Sequence, residues 1–103
     1  MDRILIWRTE DLPRYYMEKD YEPVALRIMS RENPGIDVEV DIFSNGATIF
    51  NEAAILPGDE TFQDLSVDFV DDPIMEEGSI ITCSIANGND ITVQLELQSA
   101  DDA

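Results

Sequence analysis

Apolar and polar residues alternate along most of this chain with a period of two. Ile36-Asp37-Val38-Glu39-Val40-Asp41-Ile42-Phe43 switches between apolar and acidic almost without a break. Leu65, Val67 and Phe69 alternate with Ser66 and Asp68, and Ile81, Cys83 and Ile85 with Thr82 and Ser84. The last run sets Ile91, Val93, Leu95 and Leu97 against Thr92, Gln94, Glu96 and Gln98. Successive side chains of a strand point to opposite faces, so each run predicts one buried and one wet face. No window of comparable length carries a helical stripe.

Turn chemistry stands between the runs. Asn45-Gly46 separates two apolar stretches, and both residues tolerate the positive φ of a type I′ hairpin. Asn87-Gly88-Asn89-Asp90 joins the final two strands by a longer loop, and Asn33-Pro34-Gly35 breaks the chain before the acidic strand. Pro57-Gly58-Asp59-Glu60 and Asp71-Asp72-Pro73 mark two more loops. Strands are predicted at about 3–8, 24–29, 36–43, 47–50, 64–70, 79–86 and 90–98. Seven short strands with regular turns predict an all-β fold, an antiparallel β-sandwich resembling a jelly roll. Residues 1–98 form a single domain in this reading, with 99–103 as a frayed tail.

Two segments escape the pattern. Ile4-Leu5-Ile6-Trp7 is apolar on both faces, so one face needs cover from elsewhere. Thr9 to Glu22 follows neither period, although Asp11 could cap one helical turn, and it carries Arg14, Tyr15, Tyr16, Met17 and Tyr21. Tyrosine, arginine and methionine are enriched where proteins meet. Leu5, Trp7, Arg14, Tyr15, Tyr16, Met17 and Tyr21 are therefore the candidate protein-interface residues. The alternative is a loop that folds back to plug the end of the sandwich.

Charge sharpens the division. The 103 residues carry a net charge of −17, with all six basic residues at or before Arg31. Six of the 23 acids share that region, which leaves 17 acids and no base from Glu32 onward. Such a surface repels phosphate backbones and anionic lipid, so neither nucleic acid nor membrane is expected as a partner. Acids also keep a β-rich protein soluble and stop its edges pairing. An apolar fraction of 44% is ordinary for a folded domain. No apolar run approaches the ~18 residues of a membrane span. The amino-terminal run is too short for a secretory signal, which predicts a protein made in the cytoplasm without an export address.

Chemistry is sparse. The chain has no histidine, which removes the commonest general base and metal ligand. The single cysteine, Cys83, falls on the apolar phase of its strand and reads as core. No P-loop or Gly-x-Gly-x-x-Gly occurs, and no cofactor is predicted. Asp37, Glu39 and Asp41 project from one strand face, and Asp71, Asp72, Glu76 and Glu77 flank Pro73. Either set could offer oxygen ligands to Ca²⁺, yet neither has the spacing of a calcium loop, and a solvated acidic face is the plainer reading. A non-enzymatic protein is expected.

The order of motifs resembles small β-sandwich domains in structural proteins of tailed bacteriophages. An amino-terminal strand ends in Ile6-Trp7-Arg8, a central hairpin reads Phe43-Ser44-Asn45-Gly46-Ala47-Thr48-Ile49-Phe50, and Gly78-Ser79-Ile80-Ile81-Thr82 opens a late strand pair closed by Val93-Gln94-Leu95-Glu96-Leu97. The long Thr9–Glu22 segment and the acidity depart from the pattern. The resemblance implies a virion protein, above all a decoration or cement protein that binds the major capsid protein or another virion protein. It also implies a homo-oligomer, a trimer by preference. A chain that starts at its own methionine and ends just after its last strand suits a stand-alone subunit. Two alternatives stay open: an acidic DNA mimic that inhibits a nucleic-acid-binding protein, and a receptor- or glycan-binding tail-fibre domain using the loops at 57–60 and 71–77.

Overall fold

A computed structural model describes residues 3–65, 69–70 and 75–100 of the chain. Nine strands follow in order: β1 (Arg3–Arg8), β2 (Tyr15–Tyr16), β3 (Tyr21–Ser30), β4 (Val38–Ser44), β5 (Ala47–Thr48), β6 (Ala54–Leu56), β7 (Phe62–Leu65), β8 (Ile80–Ala86) and β9 (Ile91–Ser99). Every pairing between them is antiparallel. One sheet runs β1-β9-β3-β7; the other runs β2-β8-β4-β5, with β6 also paired to β4. The pairs nest, first strand with last, second with second-last, third with seventh, and the fourth with β5 and β6. A long antiparallel ribbon has been rolled up so that β9 also meets β3 and β8 also meets β4. That winding is a jelly roll.

Alternation supplies the core. Leu5 and Trp7 of β1, Leu26 and Ile28 of β3, and Ile91, Val93, Leu95 and Leu97 of β9 are fully buried from one sheet. Val38, Val40 and Ile42 of β4, Leu56 of β6 and Ile81 of β8 meet them from the other. Each such side chain contributes about 1.5–3 kcal/mol by leaving water.

Among the described residues nine strands rather than seven are present, and the differences have local causes. β3 begins at Tyr21, earlier than the predicted 24, because a bulge between Pro23 and Ala25 shifts the register. Tyr21 and Pro23 face inward before it, Leu26 and Ile28 after it, so the parity of the pattern flips mid-strand. β4 starts at Val38, not 36, since the break at Asn33-Pro34-Gly35 leaves Ile36 outside the ladder and 57% exposed. β2 and β6 have only two and three residues, too few to show a period. β7 covers Phe62–Leu65; positions 66–68 of the predicted 64–70 strand lie outside the described residues. Beyond them Phe69 bridges to Phe50, their rings stacked at 5.8 Å.

The predicted hairpin at Asn45-Gly46 is present, with φ of 52° and 88° as a type I′ turn requires. The carboxyl end holds further than expected. Ser99 completes β9, and the Ala100 amide donates to the Asp20 carbonyl at 3.0 Å.

Candidate interaction surface

The amino-terminal aromatic cluster divides between the interior and the surface. Trp7 faces inward from β1, is fully buried, and donates its Nε1–H to the Pro13 carbonyl at 2.8 Å. The indole thus anchors the Thr9–Asp20 segment from within. That segment crosses from one sheet to the other, where β2 pairs with β8. Tyr15 lies half-buried with its ring edge-on to Trp7, centroids 5.4 Å apart at 81°. Its hydroxyl donates to the Ile6 carbonyl at 2.8 Å, on the free side of β1. Arg8 and Asp11 exchange backbone hydrogen bonds of 2.9 Å just beyond. Much of the β1 edge is therefore occupied by its own chain, which denies it to foreign strands.

Leu5, Trp7, Met17 and Tyr21 do not form an interface. Leu5, Trp7 and Met17 have no exposed surface, and Tyr21 is 3% exposed. The sequence surplus arises because the Thr9–Asp20 crossing returns to the sandwich and brings Met17 with it. The Met17 amide and carbonyl bond the Ser79 carbonyl and the Gly78 amide, extending the β2–β8 ladder. Tyr21 exchanges backbone hydrogen bonds with Met75 and donates its hydroxyl to Glu18.

A polar knot ties this region together. Arg3 pairs with Glu18 at 2.7 Å, donates to the Tyr16 carbonyl at 2.9 Å, and lies 5.7 Å and 5.8 Å from the Tyr15 and Tyr21 ring centres. Lys19 adds a second cation 5.4 Å from the Tyr21 ring. The Tyr21 hydroxyl, then the amide of Glu18 itself, and the charges of Arg3 and Lys19 hold the Glu18 carboxyl below its usual pKa, against some desolvation. The same hydrogen bond pushes the Tyr21 phenol up, aided by desolvation.

Arg14 and Tyr16 remain on the surface, Tyr16 at 57% exposure. Tyr16 sits directly opposite Ile80, itself 38% exposed, on the outer face of the second sheet. Further along that face Phe43 pairs with Thr82 and Thr48, Asp41 with Ser84, and Glu39 with Ala86 and Ile55. The outer face thus grades from aromatic and aliphatic at β2 to acidic across β4. Besides Arg3, two further cations are paired within the molecule: Arg27 lies 3.3 Å from Glu96 and 3.7 Å from Asp64, and Arg31 lies 3.8 Å from Asp90. Arg8 and Arg14 make no ion pair among the described residues.

Burial, with the Asp41 charge behind it, pushes the Cys83 thiol up to about 12. Asp37 accepts from the Gly58 amide at 3.0 Å, and Asp41 from the Ile42 amide at 2.9 Å and from the Thr48 hydroxyl at 2.5 Å. Asp37 thus ties the approach to β4 to the Pro57–Glu60 loop, and Asp41 ties β4 to β5. No group of three acids, cysteines or histidines among the described residues could hold a metal ion. Asp71 and Asp72, of the other acidic set, lie outside the described residues. An open cleft of about 720 Å³ at one end is lined by Arg31, Asn33, Ile36, Asn87 and Asp90 among others. No helix among the described residues is long and apolar enough to cross a membrane. The chain matches no protein-family model, no curated protein and no solved structure.

Proposed function

We propose that this protein is a non-enzymatic structural component of a tailed-phage particle, docking on another virion protein through the β2 end of its second sheet. The observation that carries this reading is the exposed pair Tyr16 and Ile80, at the β2 end of an outer face that bears Asp41 and Glu39 further along on β4. Trp7 and Tyr21 are consumed by the core and Tyr15 lies half-buried against Trp7, so Tyr16 is the aromatic of the cluster free to meet a partner. The jelly-roll winding supports the virion assignment, since capsid domains commonly use it, and so do the hairpin motifs that resemble phage structural domains. A decoration or cement role on the major capsid protein remains the preferred form, with assembly as an oligomer.

Charge selects the partner surface. With a net charge of −17, the protein fits a surface bearing lysines or arginines around an apolar recess for Tyr16. Repetition over a lattice would multiply even a weak contact. A DNA mimic would need a row of free, evenly spaced carboxylates, whereas Asp37 accepts from the Gly58 amide and Asp41 from the Ile42 amide and the Thr48 hydroxyl.

Quantitative mass spectrometry of purified virions tests the assignment. A copy number commensurate with the capsid lattice supports it; absence from the particle rejects it.

A further inference from the structure

We propose that Asn87 is a site of spontaneous deamidation, and that the other Asn-Gly pair, Asn45-Gly46, is protected from the same reaction by the fold. The chemistry needs only water. The Gly88 backbone nitrogen gives up its proton and attacks the Asn87 side-chain carbonyl carbon; the N–Cγ bond forms, and the Cγ–Nδ2 bond breaks as the amide nitrogen takes up that proton equivalent and leaves as ammonia. Water then opens the cyclic imide at either carbonyl, leaving aspartate or isoaspartate at position 87. A following glycine favours the attack because it has no Cβ to obstruct the nitrogen.

The two pairs differ in what holds the amide. Asn45 accepts a hydrogen bond from the Ile80 amide at 2.9 Å and donates to the Ser79 hydroxyl at 3.4 Å, so its side chain is pinned against β8. Asn87 is exposed, has a φ of 72°, and makes no side-chain hydrogen bond among the described residues. The remaining asparagines are poorer candidates. Asn33 precedes Pro34, whose ring nitrogen cannot attack, while Asn51 and Asn89 precede the bulkier Glu52 and Asp90.

The structure also explains why so labile a pair stands here. A Cβ at Gly88 would lie 2.6 Å from Ile91 Cγ1 and 3.0 Å from Val38 Cγ2, both core side chains. Only glycine fits between the loop and the core. The isoaspartate product carries an extra backbone methylene and would push Gly88 off this seat, loosening the β8–β9 loop beside the Arg31–Asp90 pair.

Peptide mapping by mass spectrometry after incubation in mildly alkaline buffer, with isoaspartate detected by enzymatic methyl labelling, tests the proposal. In the folded protein, conversion at Asn87 is expected to outrun conversion at Asn45 about ten-fold, since hydrogen bonds hold only the latter. In denaturant the two rates should converge. Equal rates in the folded protein, or a faster Asn45, would overturn it. An Asn45→Asp variant that leaves the Asn87 rate unchanged supports the sites acting independently, and the untouched loop then serves as the internal reference.

Discussion

At the scale of single residues, the aromatics of the first 21 positions have opposite fates a few residues apart. Trp7 fills the core and donates to Pro13, whereas Tyr16 stands out from the sheet beyond Ile80. Trp7→Ala should lower unfolding free energy by about 3–5 kcal/mol in denaturant titrations, from lost burial, a cavity and an orphaned carbonyl. Tyr16→Ala should change it by no more than about 0.5 kcal/mol. Glu18 adds a pH signature. Its folded pKa lies below the unfolded one, so its contribution is present at neutral pH and fades as pH falls below the usual 4.5. Glu18→Gln should therefore destabilise at neutral pH, and its deficit relative to the parent should close in acid; a deficit constant with pH would mean that charge is irrelevant there. Cys83, with its thiol raised to about 12, should resist alkylation until the domain unfolds.

Among the elements, legibility followed length and parity. β4, β8 and β9 are plain in the sequence because each alternates without a break over five or more residues, Val38–Ile42, Ile81–Ile85 and Ile91–Gln98. The Asn45-Gly46 hairpin was equally plain, since its chemistry is dictated by two positive φ values. β3 was half-hidden by the bulge at Pro23/Ala25, and β2 and β6 are shorter than any period. The candidate site suffered from the same cause. Composition could place tyrosines and methionine together near β1, but only the crossing from one sheet to the other decides which face inward. Tyr15 and Tyr16 show this best, as adjacent residues of a two-residue strand sent to opposite faces. Gly46→Ala should cost about 1–2 kcal/mol in thermal or chemical unfolding, because its φ of 88° strains any residue with a Cβ, although open space surrounds it. A neutral outcome would mean the turn relaxes.

For the whole molecule, charge governs both stability and association. Seventeen acids crowd a base-free stretch from Glu32 onward, so the folded state repels itself at low ionic strength. Raising salt to about 0.15 M should lift the melting temperature by shortening the screening length to ~8 Å. The same salt should slow association with a basic partner surface, leaving dissociation less affected. The central claim is that the β2 end of the second sheet, and not the buried part of the aromatic cluster, meets the partner. The direct measurement is binding of three forms to particles stripped of the protein: parent, Tyr16→Ala and Trp7→Phe. The account predicts about 30-fold weaker binding for Tyr16→Ala, the ~2 kcal/mol of a tyrosine hot spot, with Trp7→Phe folded and binding like the parent. Unchanged binding by Tyr16→Ala, or its loss in a folded Trp7→Phe protein, would contradict it.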